Sequence, residues 1–411
     1  MKIVKFAIIN LLRNKKTNFT TALLIIFGTS ALLFALGFIK MSFFGLGETM
    51  VRQGIGHFQI MNPNEKLSKG DYPLEFGISS SDLSKIKTLL NEYEDDIETI
   101  MPRLNFSGII SNADKSTIFL GKGVDTQNES VFSSVFVKME DGKNLGLDFD
   151  NPKKNELILG SKLAQILDLK VGDTATLMIN TVDGAINAMD ADVSGIFSTG
   201  KEEIDKRLIM VPIDMAKELM RTDKISKLVV GLYKTENSIN ISQDIKQKLQ
   251  DTPYSSYFWE DLAPFYRGVV NLYNTFFIFL GGIILIVVIS SVLGSVSVSV
   301  AQRTSEFGML KANGFSTKDI MLLVLSEIFV LSLVSVIISL IITHISMSII
   351  NVSDIQMAPP PGSNQGYPLL FDHIWLESVI IAIVIVLISL FASIRPSFIA
   401  SRLKISDALR S

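Results

Sequence analysis

Between residues 301 and 320 the chain reads AQRTSEFGMLKANGFSTKDI, in which Arg303, Glu306 and Lys311 are interleaved with Phe307, Gly308, Met309, Leu310 and Gly314. Residue types in that pattern suit non-covalent chemistry: apolar side chains fill a groove on a protein partner, and the charges fix the register. A basic loop at a membrane edge needs the charges but not the apolar residues, so docking is the expected role. Glu327 is the other isolated polar group, the only acid in the long apolar stretch after Ile320. It lies about 12 Å along a helix from Asp319. An acid at that depth is a functional candidate by default. Two turns inside, it is expected to reach the interface or pair with a nearby base rather than carry a proton or substrate. Ser291, Gly294 and Ser295 are small residues at helical spacing, which lets membrane helices approach closely.

Covalent and cofactor chemistry find no such support. The chain has no cysteine, which excludes a thiol nucleophile, disulfides, thiolate zinc sites and iron–sulfur clusters. His57, His344 and His373 are far apart in sequence, and no metal site is expected from them. No G-x-x-x-x-G-K-[ST] loop occurs, so ATP hydrolysis belongs to another chain. Gly45-Leu46-Gly47 and Gly54-Ile55-Gly56 lack the third glycine of a dinucleotide fingerprint. Gly362-Ser363-Asn364-Gln365-Gly366 has asparagine where a nucleophile elbow has serine. No catalytic residue and no cofactor are expected, and with net positive charge found only at the membrane-proximal ends, no nucleic acid either.

The elements that must hold these residues follow from where charge is missing. Of 411 residues, 19% are charged and 48% apolar, with a mean hydropathy of +0.38. The 23 residues Thr17–Ile39 carry no charge, enough to cross a hydrocarbon core of about 30 Å. The stretch exceeds the h-region of a signal peptide, and no A-x-A site follows, so an uncleaved span is expected. A second charge-free run of 35 residues, Gly268–Gln302, is longer than the membrane is thick and should protrude at its polar start, GVVNLYNT. Two more spans follow, one beginning near Ile320 and one running from Trp375 to Arg395.

Charge then orients them. Residues 1–20 carry five bases and no acid, the tail from Arg395 is net +3, and the 303–319 connection is net +1. Residues 45–267 hold 34 acids against 25 bases. The positive-inside rule places the basic parts, and both termini, in the cytoplasm. The expected order is a cytoplasmic amphipathic helix (1–16), span one (17–44), an extracytoplasmic domain (45–267), span two with its stalk (268–300), a cytoplasmic loop (301–319), span three (320–346), a short outer loop (347–373), span four (374–395) and a cytoplasmic tail (396–411). Met357–Pro361 reads as a stiff apolar part of that outer loop.

Within 45–267 the pattern is mixed. HFQIM, GIISN (108–112), STIFLGKGV, ELIL, TATLMIN, ADVSGIFS, RLIMVPI, LVVGLY and YSSYFW read as strands. Ser81–Glu94, SKLAQILDL, a helix opened by Pro212 and running to Arg221, and Ser238–Leu249 read as helices. Two small α/β lobes on one stalk are expected.

The 301–320 segment resembles the R-T-x-E-[IF]-G-x-x-[KR]-A-x-G signature of FtsX-like permeases, the family that contains MacB and the lipoprotein-release subunits LolC and LolE. Arg303, Thr304, Glu306, Phe307, Gly308, Lys311, Ala312 and Gly314 match it. Pro396, Ala400, Arg402, Leu403, Ala408, Leu409 and Arg410 match the family's closing motif, with Ile405 where proline is usual. ELILGSKLAQILDLKVGDTATL is similar to a segment of its external domain, Asn10, Arg13, Asn14 and Lys15 to its N-terminal R-N pattern, and Glu327 stands where the family often has an acid. The resemblance implies four transmembrane helices, with a large extracytoplasmic α+β domain of the MacB periplasmic core type inserted between the first and second. It implies an inner-membrane permease subunit of an ABC transporter that pairs with a second permease chain, as homo- or heterodimer, and a cytoplasmic ATPase. By the same resemblance, residues 303–314 couple to that ATPase, and the substrate is a lipoprotein or other periplasmic protein. Efflux of peptides or lipophilic drugs is one alternative, and signalling to an external hydrolase is another.

Overall fold

The computed structural model describes residues 10, 15–64, 74–133, 138–146, 155–353, 355–357 and 367–402. Residues 1–9 and 11–14 of the expected amphipathic helix, most of the final tail and Ala358–Pro361 of the outer loop lie outside them. Helix α1 (Lys15–Met50) leads through a short π-helical turn to β1 (Phe58–Met61), α2 (Ser80–Leu90), β2 (Ile97–Asn112), β3 (Lys115–Val124), α3 (Thr126–Ser133) and β4 (Lys138–Gly142). Then come β5 (Glu156–Gly160), α4 (Ser161–Leu167), β6 (Thr174–Asn180), β7 (Ile186–Ser198), β8 (Leu208–Pro212) and α5 (Ile213–Met220). β9 (Lys227–Leu232), α6 (Ser238–Lys248) and β10 (Ser255–Phe258) precede α7 (Pro264–Gln302), α8 (Thr304–Ala312), α9 (Thr317–Val352) and α10 (Trp375–Ser401). The chain divides into two compact units, 1–44 with 269–357 and 368–411, and 45–268 with 358–367.

The second unit is the inserted α+β domain. Four antiparallel strands in the order β10-β1-β9-β2 carry α2 and α6, a β-α-β-β-α-β arrangement. Ile60, Ile86, Leu90, Val230, Ile241 and Ile245 fill its core. The second lobe is a ring: β2 pairs with β3, β3 with β8, β8 with β5, β5 with β7, β7 with β6, and β6 again with β2. Alternation points Phe106, Ile110, Phe119, Leu177, Ile179 and Val193 inward, and α4 and α5 add Leu163, Leu167, Met215 and Leu219 to the same core. The two expected lobes therefore share a strand. The 16-residue β2 serves the open sheet with its first half and the ring with its second. That first half was illegible because Pro102 argues against a central strand; it is tolerated here where β2 has a ladder partner, β9, on one side only.

Among the described residues, four helices are long and apolar enough to cross a membrane: α1, α7, α9 and α10. Val288, Val292, Val296 and Val300 place one face of α7 against Ile25 and Leu32 of α1 and Val324 and Ile328 of α9. Gly28 allows the α1–α7 approach, since a Cβ there would stand 2.9 Å from Val288. Polar contacts join helices at depth: Ser30 and Ser339 lie 2.9 Å apart, and Thr343 donates to Ser30 at 3.0 Å. Helices α9 and α10 bury Ser335, Ser389, Ser393 and Ser397, whose hydroxyls donate back to carbonyls three or four residues earlier. Their small size lets the helices approach without an unpaired donor.

Three elements differ in their bounds from the sequence patterns that marked them. Pro212 ends β8 and caps α5 from outside rather than sitting in its first turn. Helix α10 does not stop at Arg395 but runs through Pro396 to Ser401. Proline inside a helix removes one bond, a loss that membrane helices tolerate where neighbours supply partners. The first helix extends to Met50, beyond the apolar run that marked it.

Candidate functional site

The segment 301–319 is helical rather than a loop. Helix α7 ends at Gln302, Arg303 breaks the run, and α8 occupies Thr304–Ala312. Gly314 (φ 90°) ends it, in a left-handed conformation that other residues rarely adopt. Its neighbour Phe315 donates its N–H to Leu310 O at 3.1 Å. Ser316 then opens α9 with a capping box, its hydroxyl accepting from Asp319 N and the Asp319 carboxylate accepting from Ser316 N.

Arg303 is the hinge pin of this turn. It is 5% exposed, and its planar fork grips Glu327 of α9, Nη1 donating to Oε2 at 2.7 Å and Nη2 to Oε1 at 3.0 Å. Its Nε donates to Glu306 Oε2 at 3.1 Å, and its guanidinium lies 5.0 Å from the centre of the Phe307 ring. Asn10 closes the cluster, its Nδ2 donating to Glu327 Oε1 at 2.8 Å. Burial opposes the Arg303 charge, but bonds to Glu327 and Glu306 outweigh it, and the guanidinium is held above its usual pKa. Glu327 is thus an ion-pair partner that joins α8, α9 and residue 10.

The residues expected to dock divide into two faces. Phe307 is fully buried and packs with Val300, Ile320, Val324 and Ala400, so it fills this chain's own core rather than reaching for a groove elsewhere. Gly308 is buried beside it, and Leu310 packs partly against the same core. Outward stand Met309 (52% exposed) and Phe315 (43%), with Lys311 half-buried and Gly314 exposed. Phe315 was not singled out in the sequence; its signal was an aromatic residue just past a helix-ending glycine.

Of the small residues on α7, Ser295 accepts a hydrogen bond from the buried Thr21 of α1. Ser291 is half-buried, and Gly294 faces open space with no atom within 4 Å of where a Cβ would stand. Buried polar groups in the inserted domain hold its entry segment. Arg103 is 1% exposed, donates to Glu129 at 2.6 to 3.0 Å and reaches Gly54 O in the turn after α1. Burial, and next the Arg103 charge, push the neighbouring Lys122 amine down to about 8. His57 accepts from Leu232 N through Nδ1 at 2.9 Å, which leaves Nε2–H to donate to Thr235 Oγ1 at 2.9 Å. Burial, with Arg52 nearby, lowers its pKa to about 4. Among the described residues, no group of three or more His, Asp or Glu side chains is placed to hold a metal.

Residues 18–248 match the family model of the MacB-like periplasmic core domain, and residues 278–405 match that of the FtsX-like permease C-terminal region. The lipoprotein-releasing system transmembrane protein LolC of Xylella fastidiosa is 22% identical over 309 residues, 70% of this chain and 72% of that protein. LolE of the same system in Haemophilus influenzae is 39% identical over 90 residues, 21% of this chain and 20% of the relative. The crystal structure of the periplasmic region of MacB from Actinobacillus actinomycetemcomitans matches with a TM-score of 0.36 and 16% identity, over 50% of this chain and 90% of that one.

Proposed function

This chain belongs to the FtsX-like permeases that carry a MacB-like periplasmic core domain, and from that premise we propose that it is the membrane subunit of an ABC transporter that releases lipoproteins from the outer face of the inner membrane. ATP is hydrolysed by a separate cytoplasmic chain, and two permease chains work together. Both termini and α8 face the cytoplasm, and residues 45–268 face outward, a reading that the charge asymmetry supports. The inserted domain moves in response to the ATPase, and no pore conducts. The names of the LolC and LolE relatives support the choice of substrate.

One observation carries the coupling: a helix pinned on its inner side by the Arg303–Glu327 fork presents Met309 outward, and the turn that ends it presents Phe315. Pinning matters because a docking element transmits displacement only if it cannot turn in place. Arg303, Glu306, Phe307 and Gly308 set the position of α8, whereas Met309, Phe315 and Lys311 meet the ATPase. Replacing Met309 and Phe315 by Asp should abolish co-purification of the ATPase while leaving the melting temperature of the permease unchanged. Normal ATPase recovery with that double variant would overturn the docking face. For the substrate, the complex in vesicles loaded with an acylated lipoprotein should move it to the soluble fraction with ATP and not with a non-hydrolysable analogue. Release of drug-like fluorophores but no lipoprotein would replace this reading with efflux.

A further inference from the structure

Two histidines that are 29 residues apart in the chain meet beside the start of α10, one of them about two turns before the end of α9. His344 of α9 and His373, just ahead of α10, face each other through their Nδ1 atoms at 3.3 Å. His344 is 8% exposed and stacks on Trp375, with ring centroids 4.1 Å apart and planes 22° apart. The other nitrogen of each ring meets a serine: His344 Nε2 lies 3.3 Å from Ser378 Oγ, and His373 Nε2 lies 3.4 Å from Ser348 Oγ.

The serine hydrogens decide the tautomers. Ser378 donates its hydroxyl hydrogen to Ile374 O at 2.6 Å, and Ser348 donates its own to His344 O at 2.9 Å. A hydroxyl has one hydrogen and two lone pairs, so toward the imidazoles both serines can only accept. Each imidazole therefore carries its hydrogen on Nε2, and each Nδ1 turns a lone pair toward the other. Two such lone pairs at 3.3 Å repel unless a cation lies between them.

The separation discriminates between cations. Charge-assisted hydrogen bonds draw their heavy atoms to about 2.7–2.9 Å, shorter than the distance seen. Two nitrogens bound to one tetrahedral ion at about 2.0–2.1 Å stand about 3.3–3.4 Å apart. Hydrogen bonds from the outer ring nitrogens are the usual support of metal-bound imidazoles, and both are present. We propose that His344 and His373 form a two-imidazole site for a divalent transition ion of the Zn²⁺ or Cu²⁺ class. Neutral imidazole suits such ions, whereas Ca²⁺ and Mg²⁺ take oxygen ligands. The described residues supply no third His, Asp or Glu ligand, so water or a ligand from a bound molecule completes the sphere. The ion ties the end of α9 to the segment that starts α10.

The test uses the full-length chain in detergent, titrated with Cu²⁺ and read by electron paramagnetic resonance. One Cu²⁺ per chain with hyperfine coupling to two imidazole nitrogens is expected. His373→Asn and His344→Asn should each reduce that coupling to one nitrogen, and Ser378→Ala, which keeps both ligands, should weaken binding about tenfold. Melting curves and gel filtration show which variants are folded. A wild-type chain that binds no more Cu²⁺ or Zn²⁺ than the double His variant would overturn the site. So would nitrogen NMR that finds one proton shared between the rings with no affinity for either metal.

Discussion

Arg303 and Glu327 show how one buried pair can stabilise and position at once. Among the described residues, Glu327→Ala leaves a guanidinium at 5% exposure with Glu306 and an aromatic face as its partners. Breaking a buried pair from one side costs about 3–5 kcal/mol, expected as a large drop in the melting temperature. Replacing both partners, Arg303→Met with Glu327→Leu, should recover much of that stability without restoring ATPase stimulation. A Glu327→Ala chain that melts with the wild type would show the pair to be idle. His57 makes a pH prediction of the opposite kind. Its pKa in the folded state, about 4, lies below the 6.5 of an exposed histidine, so folding favours the neutral ring. That contribution is complete above pH 6.5 and is lost as the pH falls toward 4, amounting at the acid end to about 3 kcal/mol. His57→Gln should flatten the fall in melting temperature between those limits, and an unchanged slope would refute it.

At the scale of elements, the ring in the inserted domain depends on a glycine. Gly108 of β2 faces Ile179 of β6, and a Cβ there would stand 2.2 Å from Met178 O and 2.6 Å from the Ile179 side chain. Gly108→Ala should therefore cost about 1–3 kcal/mol by forcing β6 away, visible as faster hydrogen exchange in 174–180. Protection equal to wild type would show that the seam can yield. The strand core in GIISN and ADVSGIFS was readable because inward residues alternate with outward ones. Closure of the ring was not, because which strand meets β6 depends on pairings far apart in sequence. The same limit hid the partner of Glu327: the acid and Arg303 were each legible, but their 2.7 Å contact needs the turn through α8. Phe307 is a related case, since one apolar residue on a short helix fits a partner's groove and its own core equally well. The His344–His373 pairing left no trace at all, being a matter of where two long helices end.

For the whole molecule, the open face of α7 is the place to test the proposed pairing of two permease chains. Phe276, Phe279, Ile283 and Ile286 are exposed along it, and Gly294 has nothing over it. Because the protein has no cysteine, a single introduced thiol reports on one place only. Gly294→Cys should cross-link into a dimer on mild oxidation, whereas Ile341→Cys on the exposed face of α9 should not. Equal yields from the two would move the interface elsewhere.

The strand β2 has a mechanical consequence. It is bonded to β9 along its first half and to both β3 and β6 along its second, so a pull along its axis loads many hydrogen bonds in parallel rather than opening them one by one. Such a strand resists tension as a sewn seam does and gives way all at once. The two cores on either end are thereby made to share any force applied to one of them.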